Sequence, residues 1–123
     1  MRMLPCSLIG VTLLTGCATQ TPPLYSWGTI PDSYLKMVQE PGDASSAAYE
    51  SSLMTTIDQA KQQNKTVPPG VYCELGYVRF KQGRMEEARQ LYDAEMALYP
   101  ESRVFMERLK DKLQKSRTSS PPT

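Results

Sequence analysis

Residues 75–100 read LGYVRFKQGRMEEARQLYDAEMALYP, and this stretch decides the fold. Two helices are predicted around it, over residues 71–81 and 85–99, separated at Gln82-Gly83 and stopped by Pro100. Gly76 and Ala88 are small enough for two helix axes to approach closely. Tyr72 and Tyr92 fill the space between them, and Gly83 permits positive φ in the turn. Such a hairpin keeps apolar surface on both helices that it cannot bury by itself. The architecture therefore depends on what the flanking residues supply.

On the C-terminal side, Val104, Phe105, Met106, Leu109 and Leu113 put apolar surface on a fifth helix whose pattern fades near Gln114. Residues 116–123 (SRTSSPPT) are polar and Pro-containing, and are expected to be a disordered tail. On the N-terminal side, a long helix is predicted from Asp43, as its cap, to about Asn64. Tyr49, Leu53, Ile57 and Ala60 form one stripe on it at helical spacing. Residues 65–70 (KTVPPG) connect it to the quoted stretch. A short helix opens at Pro31-Asp32, with Asp32 as cap, and ends at Pro41-Gly42. Tyr34, Leu35, Met37 and Val38 are its apolar residues. No segment alternates apolar and polar residues over strand length. The expected class is all-α, with about five helices in compact hairpins over residues 25–115.

The central hairpin resembles a tetratricopeptide repeat, a helical hairpin with a period of about 34 residues. Tyr72, Leu75, Gly76, Gly83, Ala88, Tyr92 and Pro100 carry the resemblance. Two positions depart from it: Arg79 stands where an aromatic is usual, and Glu95 where a small residue is usual. One period onward, Met106, Leu109 and Leu113 fall on apolar positions while Lys110 replaces the packing glycine, as suits a capping helix with its outer face in water. One period back the signature fails, so the preceding helix pair is expected to be a degenerate repeat.

The first residues carry an address. Arg2 precedes a mostly apolar stretch over residues 4–14, followed by Leu14-Thr15-Gly16-Cys17. A basic start, a short apolar run and small residues at a cut site describe a secretory signal. LTGC resembles the bacterial lipobox, which implies cleavage after residue 16 and a lipidated Cys17. Ala18, rather than Asp, follows it and implies the outer membrane, with the protein on its periplasmic face. Residues 17–24 then form a short tether. Cys6 leaves with the signal and Cys17 takes the lipid, so Cys73 stays without a disulfide partner.

Composition narrows the chemistry. Removing Arg2 from the 14 basic residues leaves 13 against 13 acidic ones, a balance that gives no case for nucleic acid. The chain has no histidine, so the usual zinc, haem and catalytic-triad constellations cannot be assembled. Glu86-Glu87 sit at a helix start, where acidic groups suit the dipole. Cys73 reads as a small buried apolar residue. No enzyme activity, cofactor, metal or small-molecule substrate is expected.

Binding is the remaining class. Cys73, Tyr77, Phe80 and Lys81 fall on the face that repeat helices turn to a partner, with Tyr77, Phe80 and Lys81 the candidate contacts. Tyr77 and Phe80 are equally suited to packing on the neighbouring helix. Arg103, Arg108, Lys110, Lys112 and Lys115 make the fifth helix basic and are candidates for contact with membrane or another subunit.

The ensemble of lipobox, LYSWG (residues 24–28), PPGVYCELG (68–76) and LYPESRVFMERL (98–109) resembles a small family of proteobacterial outer-membrane lipoproteins. Genes of that family tend to lie beside those of a CsgG-like curli-secretion lipoprotein and a third small lipoprotein. The resemblance implies a periplasmic accessory in an envelope assembly or secretion complex, with those lipoproteins as partners and no particular chemistry. The alternative expectation is a structural envelope lipoprotein that touches membrane or cell wall through its basic helix.

Overall fold

The computed structural model of the chain describes residues 23–119. They form α1 (Ile30–Gln39), α2 (Asp43–Gln62), α3 (Val71–Lys81), α4 (Met85–Leu98), a 3-10 turn (Pro100–Ser102) and α5 (Arg103–Ser119). The described residues contain no strand, so the all-α expectation holds, with five α-helices stacked as hairpins. The signal, Cys17 and residues 120–123 lie outside the described residues.

Helix starts differ in detail from the sequence reading. Thr29 takes the N-cap position of α1, and Pro31 falls in the first turn, where a missing N–H costs no helix bond. Asp32 is therefore inside the first turn and does not cap. Gly42 precedes α2, so Asp43 is its first helical residue. Both carboxylates still sit at the positive end of a helix dipole. Gly70 ends the loop before α3 at φ 87°, and Gly83 turns α3 into α4 at φ 76°. Both are left-handed conformations that glycine takes without strain. Helix α5 runs to Ser119, into the segment expected to be disordered. Its extra turn has no apolar pattern, but the Ser116, Thr118 and Ser119 hydroxyls donate to carbonyls three or four residues back.

Each helix packs chiefly on its neighbours in the chain. Ile30, Tyr49, Leu53, Ile57 and Ala60 of the first hairpin are buried with Val67, Val71 and Leu75. Ala88, Tyr92 and Met96 of α4 are buried with Met106 and Leu113 of α5, and Cys73, Phe80 and Leu109 pack against them. Helix α3 is the shared wall: Val71 and Leu75 join the core of the first hairpin, whereas Cys73 and Phe80 pack against the core that α4 and α5 form. The central hairpin is thus covered on both sides.

Within that hairpin the approach is close. A Cβ added at Gly76 would come to 2.5 Å from Cε1 of Tyr92, whose ring is 1 % exposed, and 3.3 Å from the Ala88 carbonyl oxygen. The two departures from the repeat pattern are the charged residues buried among the described ones. Glu95 accepts the Gly70 N–H at 2.6 Å and the Cys73 N–H at 3.4 Å. It thereby satisfies amide groups at the start of α3, which has no side-chain cap of its own. Arg79 pairs with Glu50 of α2 and, at 3.3 Å, with Glu87 of α4, and it donates to Gln82 at 3.1 Å. A buried charge is tolerated only when paired in this way. Together they fix the second hairpin's end and its seat on the first.

Candidate functional site

Helices α1 and α3 stand apart above the first half of α2 and leave a groove of about 660 Å³ between them. Tyr34 and Met37 form the α1 wall, Tyr49 and Glu50 the floor, and Tyr77 and Lys81 the α3 wall. Helical spacing explains the placement. Glu74, Tyr77, Val78 and Lys81 recur at three and four residues, so they share one stripe of α3.

The floor is rigid. Tyr49 is 4 % exposed, its ring lies 5.5 Å from that of Tyr34 at 59°, and its hydroxyl donates to Oε2 of Glu74 at 3.4 Å. Burial first, and then the Glu74 charge, push the Tyr49 hydroxyl well above the ordinary tyrosine range, which keeps it a neutral donor. Glu50 is held by Arg79 and by Gln82, whose amide donates at 2.6 Å. The walls are open: Tyr34 is 51 % and Tyr77 49 % exposed. Two aromatic faces therefore look out from a fixed base, with Asp43, Glu50, Glu74 and Lys81 at the margins. Such a surface can seat an extended or helical segment of another protein between aromatic anchors.

The residues proposed from sequence separate into two groups. Tyr77 and Lys81 line the groove. Phe80 does not: it lies seven residues, two turns, beyond Cys73 and packs with it toward α4 and α5. Its ring still touches the edge of the aromatic wall, 6.3 Å from Tyr77. Burial, followed by the Glu74 and Glu95 charges, pushes the Cys73 thiol up to about 12. The thiolate needed for reaction is thereby disfavoured.

The basic residues of α5 also divide. Lys110 turns toward α4 and bonds to Asp93 at 2.9 Å, which raises its pKa. Arg103, Arg108, Lys112 and Lys115 are exposed and form no ion pair with a described residue. Glu86 is bonded to Arg89 at 2.6 Å, and that bond holds its carboxyl below the ordinary range, as a helix-surface ion pair does. No group of three or more His, Cys, Asp or Glu residues that could hold a metal occurs among the described residues. No helix of the described residues is long and apolar enough to cross a membrane.

Sequence reasoning missed Tyr34 and Tyr49 as groove residues. Tyr49 was visible as a core stripe and Tyr34 as apolar surface of the short helix. The signal that joins them is their pairing across α1 and α2, which spacing along one helix does not report.

Fold and groove define an all-α protein of stacked helical hairpins with an exposed aromatic groove. Residues 24–109 match the model of the family described as Domain of unknown function (DUF4810), and the chain belongs to that family. Neither a curated protein nor a solved structure matches it.

Proposed function

We propose that the protein is an outer-membrane lipoprotein, anchored through Cys17 on the periplasmic face, that acts as a tetratricopeptide-like interaction accessory in an envelope assembly or secretion complex. Its partners in this reading are a CsgG-like lipoprotein and other small lipoproteins. The observation that carries it is the pair of half-exposed tyrosines, Tyr34 and Tyr77, set over a buried and hydrogen-bonded floor. Exposed aromatics on a rigid base lose little entropy on binding, which suits a protein partner. The test is co-purification of the CsgG-like lipoprotein with the full chain. Y34A/Y77A reduces recovery at least tenfold while leaving helix content unchanged. Recovery equal to the unsubstituted protein would overturn the assignment.

A second reading rests on the four exposed cations of α5, Arg103, Arg108, Lys112 and Lys115. Each contributes ~1 kcal/mol near an anionic surface, so this helix contacts membrane or cell wall in a structural lipoprotein. It requires co-sedimentation with anionic vesicles or peptidoglycan that is lost in K112Q/K115Q.

A further inference from the structure

The two ends of the helical stack differ in character. One end gathers the chain entering α1, the α2–α3 loop and the α4–α5 turn. Two contacts tie these segments to one another, and a third ties the entering chain to the second half of α2. The Tyr99 hydroxyl donates to the Val67 carbonyl at 2.6 Å, the Tyr25 phenol lies beside Tyr99, and the Thr56 hydroxyl donates to the Trp27 carbonyl at 3.4 Å. This end leaves large apolar side chains in solvent: Leu24 at 76 %, Trp27 at 42 %, Leu98 at 42 %, Val104 at 66 % and Phe105 at 56 %. Its three connecting segments (residues 23–29, 63–70 and 98–105) carry Lys65 and Arg103 against one carboxylate, Glu101. At the opposite end, residues 40–43 and 82–84 (EPGD and QGR) hold no large apolar residue.

The chain outside the described residues arrives at the apolar end. Pro23 is six residues after Cys17, a span of at most ~20 Å when fully extended. Helix α2, with 20 residues, is ~30 Å long at 1.5 Å per residue. A lipid on Cys17 therefore holds the apolar end close to the bilayer, while the opposite end lies a further helix length away. Exposed Trp, Phe and Leu beside Lys and Arg are the composition that settles into the headgroup boundary of an anionic membrane.

We propose that this end, with Trp27, Leu98, Val104 and Phe105 beside Lys65 and Arg103, is a docking face that seats on an anionic phospholipid surface. The proposal rests on the anchored reading given above. It also orients the site: the groove extends to Asp43, Lys81 and Gln82 at the opposite end. Docking thus fixes the domain upright and presents the groove to the periplasm.

Trp27 is the chain's single tryptophan and reports on the face directly. The full chain is reconstituted into phosphatidylethanolamine–phosphatidylglycerol vesicles with and without phospholipid brominated near the glycerol backbone. Mass spectrometry of Cys17 reads the anchor separately. The expected result is a blue-shifted Trp27 emission quenched at least twofold by brominated lipid. V104E/F105E abolishes that quenching without loss of helix content, since both side chains are more than half exposed. K112Q/K115Q, farther along α5, leaves it in place. A lipidated Cys17 with unquenched Trp27 overturns the face and leaves the anchor. Quenching indifferent to V104E/F105E reflects tether proximity alone and also overturns it. Loss in K112Q/K115Q instead assigns the contact to the flank of α5. Emission already blue-shifted without vesicles, with a doubled mass by light scattering, assigns the face to a second copy. An unmodified Cys17 overturns the anchored reading, and quenching of protein added from solution then decides the face by itself.

Discussion

The two hairpins share a topology and are held together by different chemistry. In α3–α4 the helices approach until a glycine is required, with Tyr92 against Gly76 and Glu95 closing the end. In α1–α2 hydroxyl bridges accompany the apolar core: the Ser33 and Ser52 hydroxyls meet at 2.6 Å and Thr56 reaches the Trp27 carbonyl. Beyond that joint, Tyr34, Leu35 and Val38 of α1 remain exposed. Close packing consumes surface, whereas a hydroxyl-bridged pair of unequal helices leaves an aromatic wall free. The second hairpin is therefore the close-packed one, and the first hairpin, with the facing side of α3, carries the open aromatic surface on which the proposed interaction rests.

Substitutions should separate the two. Gly76→Ala should have the largest effect, because its Cβ meets the immobile Tyr92 ring at 2.5 Å. Overpacking of this kind costs about 2–3 kcal/mol and lowers Tm by roughly 10 °C in a domain of this size. Thermal unfolding followed by circular dichroism checks it, and a change below ~1 kcal/mol would show that the close approach is not what holds α3–α4. Glu95→Ala should come next, at about 1–3 kcal/mol, since it strands the Gly70 and Cys73 amides at a buried helix start. Denaturant titration measures it, and Glu95→Gln should recover part of the loss.

An alkaline dependence should follow. Burial raises the Cys73 thiol to about 12 and the Tyr92 hydroxyl to about 12 in the folded protein. Above ~8.5, the ordinary thiol value, the unfolded chain binds fewer protons than the folded one, so stability falls as pH rises. The decline should begin between pH 8.5 and 10 through Cys73 and steepen above 10 as tyrosines join. Cys73→Ala should flatten the first part only, read from urea midpoints at successive pH values. A midpoint that rises across this window would contradict the burial of these groups. The smallest effect belongs to the first hairpin: Ser52→Ala removes one hydroxyl pair, worth about 0.5–1.5 kcal/mol. A loss as large as that of Gly76→Ala would erase the distinction between the hairpins.

Much of the fold was legible in sequence because its signals are local. Pro31, Gly70, Gly83 and Pro100 punctuate the helices, and the Tyr49–Leu53–Ile57–Ala60 stripe marks a core face that is indeed buried. The register of Gly76, Ala88 and Tyr92 described the α3–α4 joint correctly. The extension of α5 to Ser119 was not legible, since hydroxyl bonds to its own carbonyls replace an apolar pattern there. The site was half legible. Spacing put Tyr77 and Lys81 together, but it also suggested Phe80, and only the core shared by α4 and α5 shows which neighbours claim that ring. Arg79 and Glu95 looked like flaws in a repeat. Their partners lie 29 and 25 residues away in the chain, beyond the reach of any local pattern.

In the proposed function, partners meet the protein at the Tyr34–Tyr77 groove. Site-specific photo-crosslinking in intact cells tests this, with the photoreactive residue placed at Tyr34, Tyr77 or, in the separate cleft between α2 and α4, Gln90. Adducts containing the CsgG-like lipoprotein should form from Tyr34 and Tyr77 and be absent from Gln90. Adducts from Gln90, with none from either tyrosine, would overturn the groove as the partner site.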